Sequence, residues 1–198
     1  MTDTTHDLAA LIGSRICHDL ISPLGAIGNG VELLSLACKP SEEVTLISES
    51  VANAAARIRF FRVAYGASVQ DQHIARNEFL SILQDYQSSN RVQIYSTAGE
   101  NLPRAIAKLI LLLVQCFETA MPFGGTIRIS QEDERWKVSG CAEKLRVNSD
   151  LWEMLSTTPG NGDVRPADVQ FAIVPQVVSE LGRSLTLKFC DQGIDVIV

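Results

Sequence analysis

The sequence predicts an α+β protein: an antiparallel helical hairpin over residues 1–69 that closes a dimeric four-helix bundle, then an α/β sandwich over residues 77–198. Three observations predict it. Two long apolar seams with three-four spacing follow one another, separated by a proline break. A polar stretch, Ser68 to Asn77, interrupts that pattern. Beyond it, short strand-like runs alternate with helix-length apolar segments.

The first seam is Cys17, Leu20, Leu24, Ile27, Val31 and Leu34, on a helix expected from near Asp7 to near Ala37. Cys38-Lys39-Pro40-Ser41 breaks it, because proline cannot continue a helix and Ser41 can accept a bond from the first free amides of the next one. The second seam runs Val44, Ile47, Val51, Ala54, Ile58, Phe61 and Tyr65, and Gly66 closes that helix. A tight connection makes the pair antiparallel. Such a hairpin alone would leave much of its apolar face in water, at roughly 25 cal/mol per Å². A second copy related by a two-fold axis is the simplest cover.

After the linker, Glu78 to Tyr86 reads as a short helix and Arg91 to Thr97 as a strand. Pro103 to Met121 reads as a long buried helix entered through proline. Gly124-Gly125 turns into a strand from Thr126 to Ser130, and Trp136 to Cys141 forms another. A Thr, Pro and Gly-rich loop from Ser156 to Asp168 precedes a helix from Val169 to Leu181, which Gly182 caps. Strands Ser184 to Phe189 and Ile194 to Val198 finish the chain around Asp191-Gln192-Gly193. The result is a mostly antiparallel sheet with helices on one face.

Composition narrows the function. The 198 residues are 46% hydrophobic, which argues against disorder, and they carry a net charge of −6 without a lysine-arginine block. Nucleic acid is therefore not an expected partner. Met1 to Asp7 lacks the basic start and apolar core of a secretion signal, and the apolar runs read as too short to span a bilayer. No membrane partner and a cytoplasmic location are expected. The five cysteines are scattered, without a C-x-x-C pair, so neither a zinc site nor a disulfide framework is indicated.

The chemistry concentrates at His18-Asp19-Leu20-Ile21-Ser22-Pro23-Leu24. A proline inside a helix costs about 3 kcal/mol, yet the apolar period runs unbroken through Pro23. It frees a carbonyl one turn earlier, beside His18. His18 follows Cys17 by one position, so it is turned about 100° from the seam, toward solvent. A neutral imidazole is nucleophilic at cytosolic pH. Attack on phosphorus needs one ring nitrogen free and the other carrying a proton held by an acceptor, and Asp19 is the nearest carboxylate. Arg15 can pair with Asp19 at i, i+4 or steady phosphate charge. With the connection centred near residue 39 or 40, residue i faces about 79 minus i, which sets His18 level with Phe61 and near Arg57, Arg59 and Arg62. Those arginines read either as a site cluster or as a solvated helix face. Ser14, Ser22, Gly25 and Ala26 are small residues near the height of His18 that would let a partner helix approach.

The His18 segment resembles the H-box of the dimerisation and phosphotransfer domain of sensor histidine kinases. More closely, residues His18 to Ile27 and Asn29 to Leu34, with Arg59-Phe60-Phe61-Arg62-Val63-Ala64-Tyr65-Gly66, are similar to the ChpT family of alphaproteobacterial histidine phosphotransferases. The resemblance implies His18 as the phosphorylated histidine and Asp19 as its acidic neighbour; helix spacing and hairpin geometry add Arg15, Ser22, Arg59 and Arg62 as expected phosphoryl and receiver contacts. It also implies a homodimer in a phosphorelay that regulates the cell cycle. The donor would be a receiver-domain aspartate of a hybrid kinase, and the acceptors would be response regulators. No cofactor of its own is expected; the receiver would bring Mg2+.

In element order the second half resembles the ATP-binding domain of histidine kinases. Its long helix would there carry asparagines that hold magnesium and phosphates, and here those positions fall on Gln115 and Thr119. Gly140-Cys141-Ala142-Glu143-Lys144 stands where an Asp-x-Gly-x-Gly loop is expected, and the helix at Val169 has no glycine-rich start. Glu118 reads as a rim carboxylate rather than a base, and Gly160-Asn161-Gly162 as a turn. A phosphotransferase without ATP-dependent kinase activity is the expectation. The rivals are a histidine kinase with an unusual pocket and a non-catalytic dimeric adaptor.

Overall fold

The computed structural model describes residues 3–37, 41–68, 71–88, 90–156, 164–190 and 192–198, with the side chains of residues 3–7 excepted. It has the expected α+β architecture. Two compact units divide the chain: Met1–Ala67 together with Ile82–Ser89, and Ser68–Ser81 together with Asn90–Val198.

The first unit is built on α1 (Asp3–Ala37) and α2 (Glu42–Ala64). Helix α1 starts earlier than expected, because no glycine or proline precedes Gly13 and an acidic residue suits a helix start. It runs through Pro23 without ending. The break at Cys38-Lys39-Pro40 lies outside the described residues. Ser41 caps α2 as its side chain predicts: its Oγ accepts from the Val44 amide at 3.4 Å, with Glu42 and Glu43 in the first turn.

The first seam divides in two. Cys17 and Val31 are buried and Leu24 is half-buried, whereas Leu20, Ile27 and Leu34 are 44%, 50% and 57% exposed. One half of the stripe therefore lies against the hairpin and the other half faces outward. On α2 the buried residues are Ala56, Phe60, Val63 and Ala64, a stripe offset from the expected seam. Its cover includes α3 (Arg76–Gln87), whose Tyr86 ring stacks on Phe60 with centroids 3.8 Å apart.

Leu8–Ala37, 30 residues, is long and apolar enough by length and composition to cross a membrane. This corrects the reading that every apolar stretch is too short. Its three charged residues, Arg15, Asp19 and Glu32, are widely spaced, and Gly and Ala fill the positions between seam residues. A helix with apolar residues for both α2 and an outer partner meets the same measure.

In the second unit the expected linker is not wholly irregular. β1 (His73–Ile74) pairs antiparallel with β3 (Leu102–Pro103), so Ile74 meets Leu102. The five-stranded sheet adds β2 (Val92–Ser96), β4 (Gly125–Glu132), β5 (Arg135–Cys141), β6 (Thr186–Cys190) and β7 (Gly193–Ile197), in the order β2-β4-β5-β7-β6. Only the β2-β4 pair is parallel. One face is buried through Ile94, Ile127, Ile129, Trp136, Val138, Ile194 and Val196.

Helix α4 (Arg104–Ala120) is buried along nearly its whole length. It starts one residue later than expected, because Pro103 has extended backbone (φ −54, ψ 133) and takes the cap position. α5 (Ser149–Met154) was not expected; Asn148 caps it by accepting from the Asp150 amide at 3.1 Å. In the loop that follows, Pro166–Asp168 forms a 3-10 turn, and the Gly160-Asn161-Gly162 part lies outside the described residues. α6 (Val169–Glu180) ends before Gly182, whose φ of +62 favours glycine. Asp191, in the last expected turn, also lies outside the described residues.

Candidate functional site

The hairpin register is fixed by close approaches. A Cβ on Gly28 would lie 3.6 Å from Val51 Cγ1, and one on Gly13 would lie 3.5 Å from the Tyr65 carbonyl oxygen. The Ala67 amide donates to Ser14 Oγ at 3.2 Å. These pairs set residue 18 level with Phe61, the height that the sequence predicts.

His18 stands on the open side of α1, its side chain 82% exposed. Its Nδ1 lies 3.2 Å from Asp19 Oδ1. Arg15 Nε donates to the other oxygen, Asp19 Oδ2, at 2.7 Å. The hydrogen bond to His18 is the main cause that lowers the Asp19 pKa; slight desolvation opposes it and Arg15 adds to it. A carboxylate held ionised in this way accepts a proton's hydrogen bond without taking the proton. That leaves the Nε2 side of the ring toward solvent. Pro23 adds to the polar character of this turn, because it has no N–H for the Asp19 carbonyl four residues earlier.

The remaining predicted residues are less closely gathered. Ser22 is exposed one turn after His18. Arg62 is exposed near Cys17; burial raises that thiol's pKa and the Arg62 charge partly offsets the rise. Arg59 is half-buried and bonds Asp85 through Nη1 at 2.5 Å. Arg57 lies over the Tyr86 ring, 5.9 Å from its centroid. The geometry thus joins Arg15, His18 and Asp19, while Arg57 and Arg59 are engaged with α3. Asp85 and Tyr86 escape sequence reasoning, although an acidic-aromatic pair beside an arginine-rich helix is a legible signal once the two are known to meet.

Gly25 and Ala26 are exposed, and nothing lies within 4 Å of a Cβ placed on Gly25. Below His18 a groove of about 590 Å³ runs between α1 and α2, lined among others by Ile21, Leu24, Gly25, Val51 and Arg59. Ser14 is half-buried and occupied by its bond to Ala67.

In the sheet unit, Gln115 and Thr119, at the expected asparagine positions, lie one turn apart on α4. Thr119 Oγ1 donates to the Gln115 carbonyl at 3.0 Å, and the buried Gln170 donates to Thr119 Oγ1 at 3.4 Å. Glu118 is half-buried on α4. Gly140 lies directly against the Phe117 ring. Phe117, Trp152 and Phe171 follow one another in edge-to-face contacts, with centroids 5.3 and 5.8 Å apart. Packed aromatic rings thus occupy the space between α4, α5 and α6.

Residues 76–192 match the family model described as the histidine phosphotransferase C-terminal domain. Over 194 residues the chain is 30% identical to the protein phosphotransferase ChpT of Brucella abortus (strain 2308), covering 95% of this chain and 93% of that protein. A solved structure of a bacterial phosphotransferase aligns with a TM-score of 0.70 and 28% identity, over 96% of this chain and 95% of the other. Both alignments extend through the hairpin that carries His18. The chain belongs to the ChpT-type histidine phosphotransferases.

Proposed function

We propose that His18 accepts a phosphoryl group from the aspartyl phosphate of a hybrid-kinase receiver domain and passes it to the aspartate of a response regulator. Asp19 holds the proton on Nδ1, so the lone pair is on Nε2. Nε2 attacks phosphorus in line, the bond from phosphorus to the aspartate oxygen breaks, and the receiver carboxylate leaves. The phosphorylated ring keeps its Nδ1 proton against Asp19, and attack by the second receiver's carboxylate reverses the step. Magnesium belongs to the receiver, where it offsets charge on the phosphoryl oxygens. Arg15, Ser22, Arg59 and Arg62 border the receiver's approach. One observation carries this reading: an imidazole 82% exposed whose Nδ1 is turned to a carboxylate.

The same reading includes a homodimer in the cytoplasm. Leu20, Ile27 and Leu34 form an outward apolar line along α1 that a second hairpin covers, completing four helices around one core. His18 is turned away from that line and stays accessible. The same proposal takes the phosphate from a receiver and not from ATP, and the bond that Gln170 makes to Thr119, at one of the expected asparagine positions, supports it.

The test offers the protein two donors in parallel, a labelled phospho-receiver and labelled ATP with magnesium. Label that passes from the receiver to the wild type, and not to a His18→Gln variant, supports the proposal. Stable labelling from ATP alone favours a kinase, and signalling that survives His18→Gln favours an adaptor.

A further inference from the structure

Neighbouring residues on a helix point about 100° apart, so an i, i+1 pair does not meet by default. His18 and Asp19 do meet, at 3.2 Å. Their contact depends on one Asp19 rotamer, and in that rotamer the second carboxylate oxygen is bonded by Arg15 Nε at 2.7 Å. Each oxygen of Asp19 thus faces a different neighbour, one turn back and one residue back. The Asp19 side chain is 50% exposed, so packing does little to fix it.

We infer that Arg15 is a positioning residue for phosphoryl acceptance, which aims Asp19 Oδ1 at His18 Nδ1 and so keeps the lone pair on Nε2. The inference rests on the reading of His18 as acceptor. An imidazole without a fixed partner places its proton on either nitrogen, and the form protonated at Nε2 carries its lone pair on Nδ1, which faces Asp19 and not an incoming receiver. An exposed ion pair contributes little to stability, but its geometry suffices to favour one ring form. Of the other charges near this height, Arg62 lies by Cys17 and Arg59 is bonded to Asp85, so Arg15 is the cation that bonds Asp19. The alternative role, a direct grip on the phosphoryl oxygens or on the receiver, predicts a different pattern of coupling.

That pattern is measurable on the full chain with a phosphorylated receiver domain as donor. Loading rates are compared for wild type, Arg15→Gln, Arg15→Lys, Asp19→Asn and the Arg15→Gln/Asp19→Asn double variant, and nitrogen NMR reads which ring nitrogen of His18 carries the proton. Arg15→Gln is expected to slow loading about three- to tenfold and to reduce the Nδ1-protonated form. In the Asp19→Asn background the same change should add nothing, because Arg15 acts through that carboxylate. Equal slowing in both backgrounds, an unchanged ring form in Arg15→Gln, or full recovery by Arg15→Lys overturns the proposal. Should the wild type take no phosphate on His18, it is the acceptor reading that fails, while the ring-proton comparison still tests Arg15.

Discussion

Gly28 faces Val51 across the hairpin, close enough that a Cβ on the glycine would touch Val51 Cγ1 at 3.6 Å. That is ordinary van der Waals contact, so Gly28→Ala should be tolerated and should gain up to about 1 kcal/mol from helix propensity. Gly28→Leu sets a larger side chain against Val51 and should be about 1–3 kcal/mol less stable than the alanine variant. Thermal unfolding of the two variants checks the register: a leucine as stable as the alanine would mean that the helices do not meet there.

Leu20 and Ile27 are half-exposed on α1 while Cys17 and Val31 on the same seam are buried. If a second hairpin covers the exposed line, Leu20→Asp or Ile27→Asp places a charge in an apolar interface. The dimer should then weaken by at least about a hundredfold. Light scattering over a concentration series reads this directly, and a wild type that is monomeric throughout contradicts the bundle.

The hairpin is legible because its signals are local: three-four spacing, Ser41 as cap and Gly66 as stop. The second apolar stripe of α2 is not, since Phe60 finds its cover in Tyr86, beyond the polar stretch, and no periodicity links the two. Helix α5 is too short at six residues for a period to show, and only Asn148 marks it. The two-residue strands β1 and β3 carry no pattern of their own and exist through their pairing. At the site, the i, i+4 rule finds the Arg15-Asp19 bond. It cannot find the bond from Arg59 to Asp85, which depends on how α3 returns.

The cysteines should separate by reactivity. Burial raises the thiol pKa of Cys116 strongly and that of Cys17 more mildly, with Arg62 opposing at Cys17, whereas Cys141 and Cys190 are exposed. In the native protein an alkylating reagent at neutral pH should modify Cys141 and Cys190 at least about tenfold faster than Cys17 or Cys116. Mass mapping of partial alkylation decides it, and fast modification of Cys116 would contradict the packing of α4.

Asp19 should stay ionised on mild acidification. The hydrogen bond from His18, aided by Arg15 against slight desolvation, lowers its pKa below the ordinary value of about 3.9. With a lowered folded-state pKa, its contribution is complete above that ordinary value and is lost as pH falls through the folded one. A carbon NMR titration of the Asp19 carboxyl should therefore show a midpoint that rises toward the ordinary value in His18→Gln. An equal midpoint in the two proteins contradicts the contact.

The central claim is that His18 itself carries the phosphoryl group. Phosphorus NMR of the full chain after exchange with a phosphorylated receiver should show one phosphoramidate signal, stable in base and lost in acid, with fragment mass analysis locating the phosphate at His18. Phosphate found on another residue, or the same signal in the His18→Gln variant, would contradict the account.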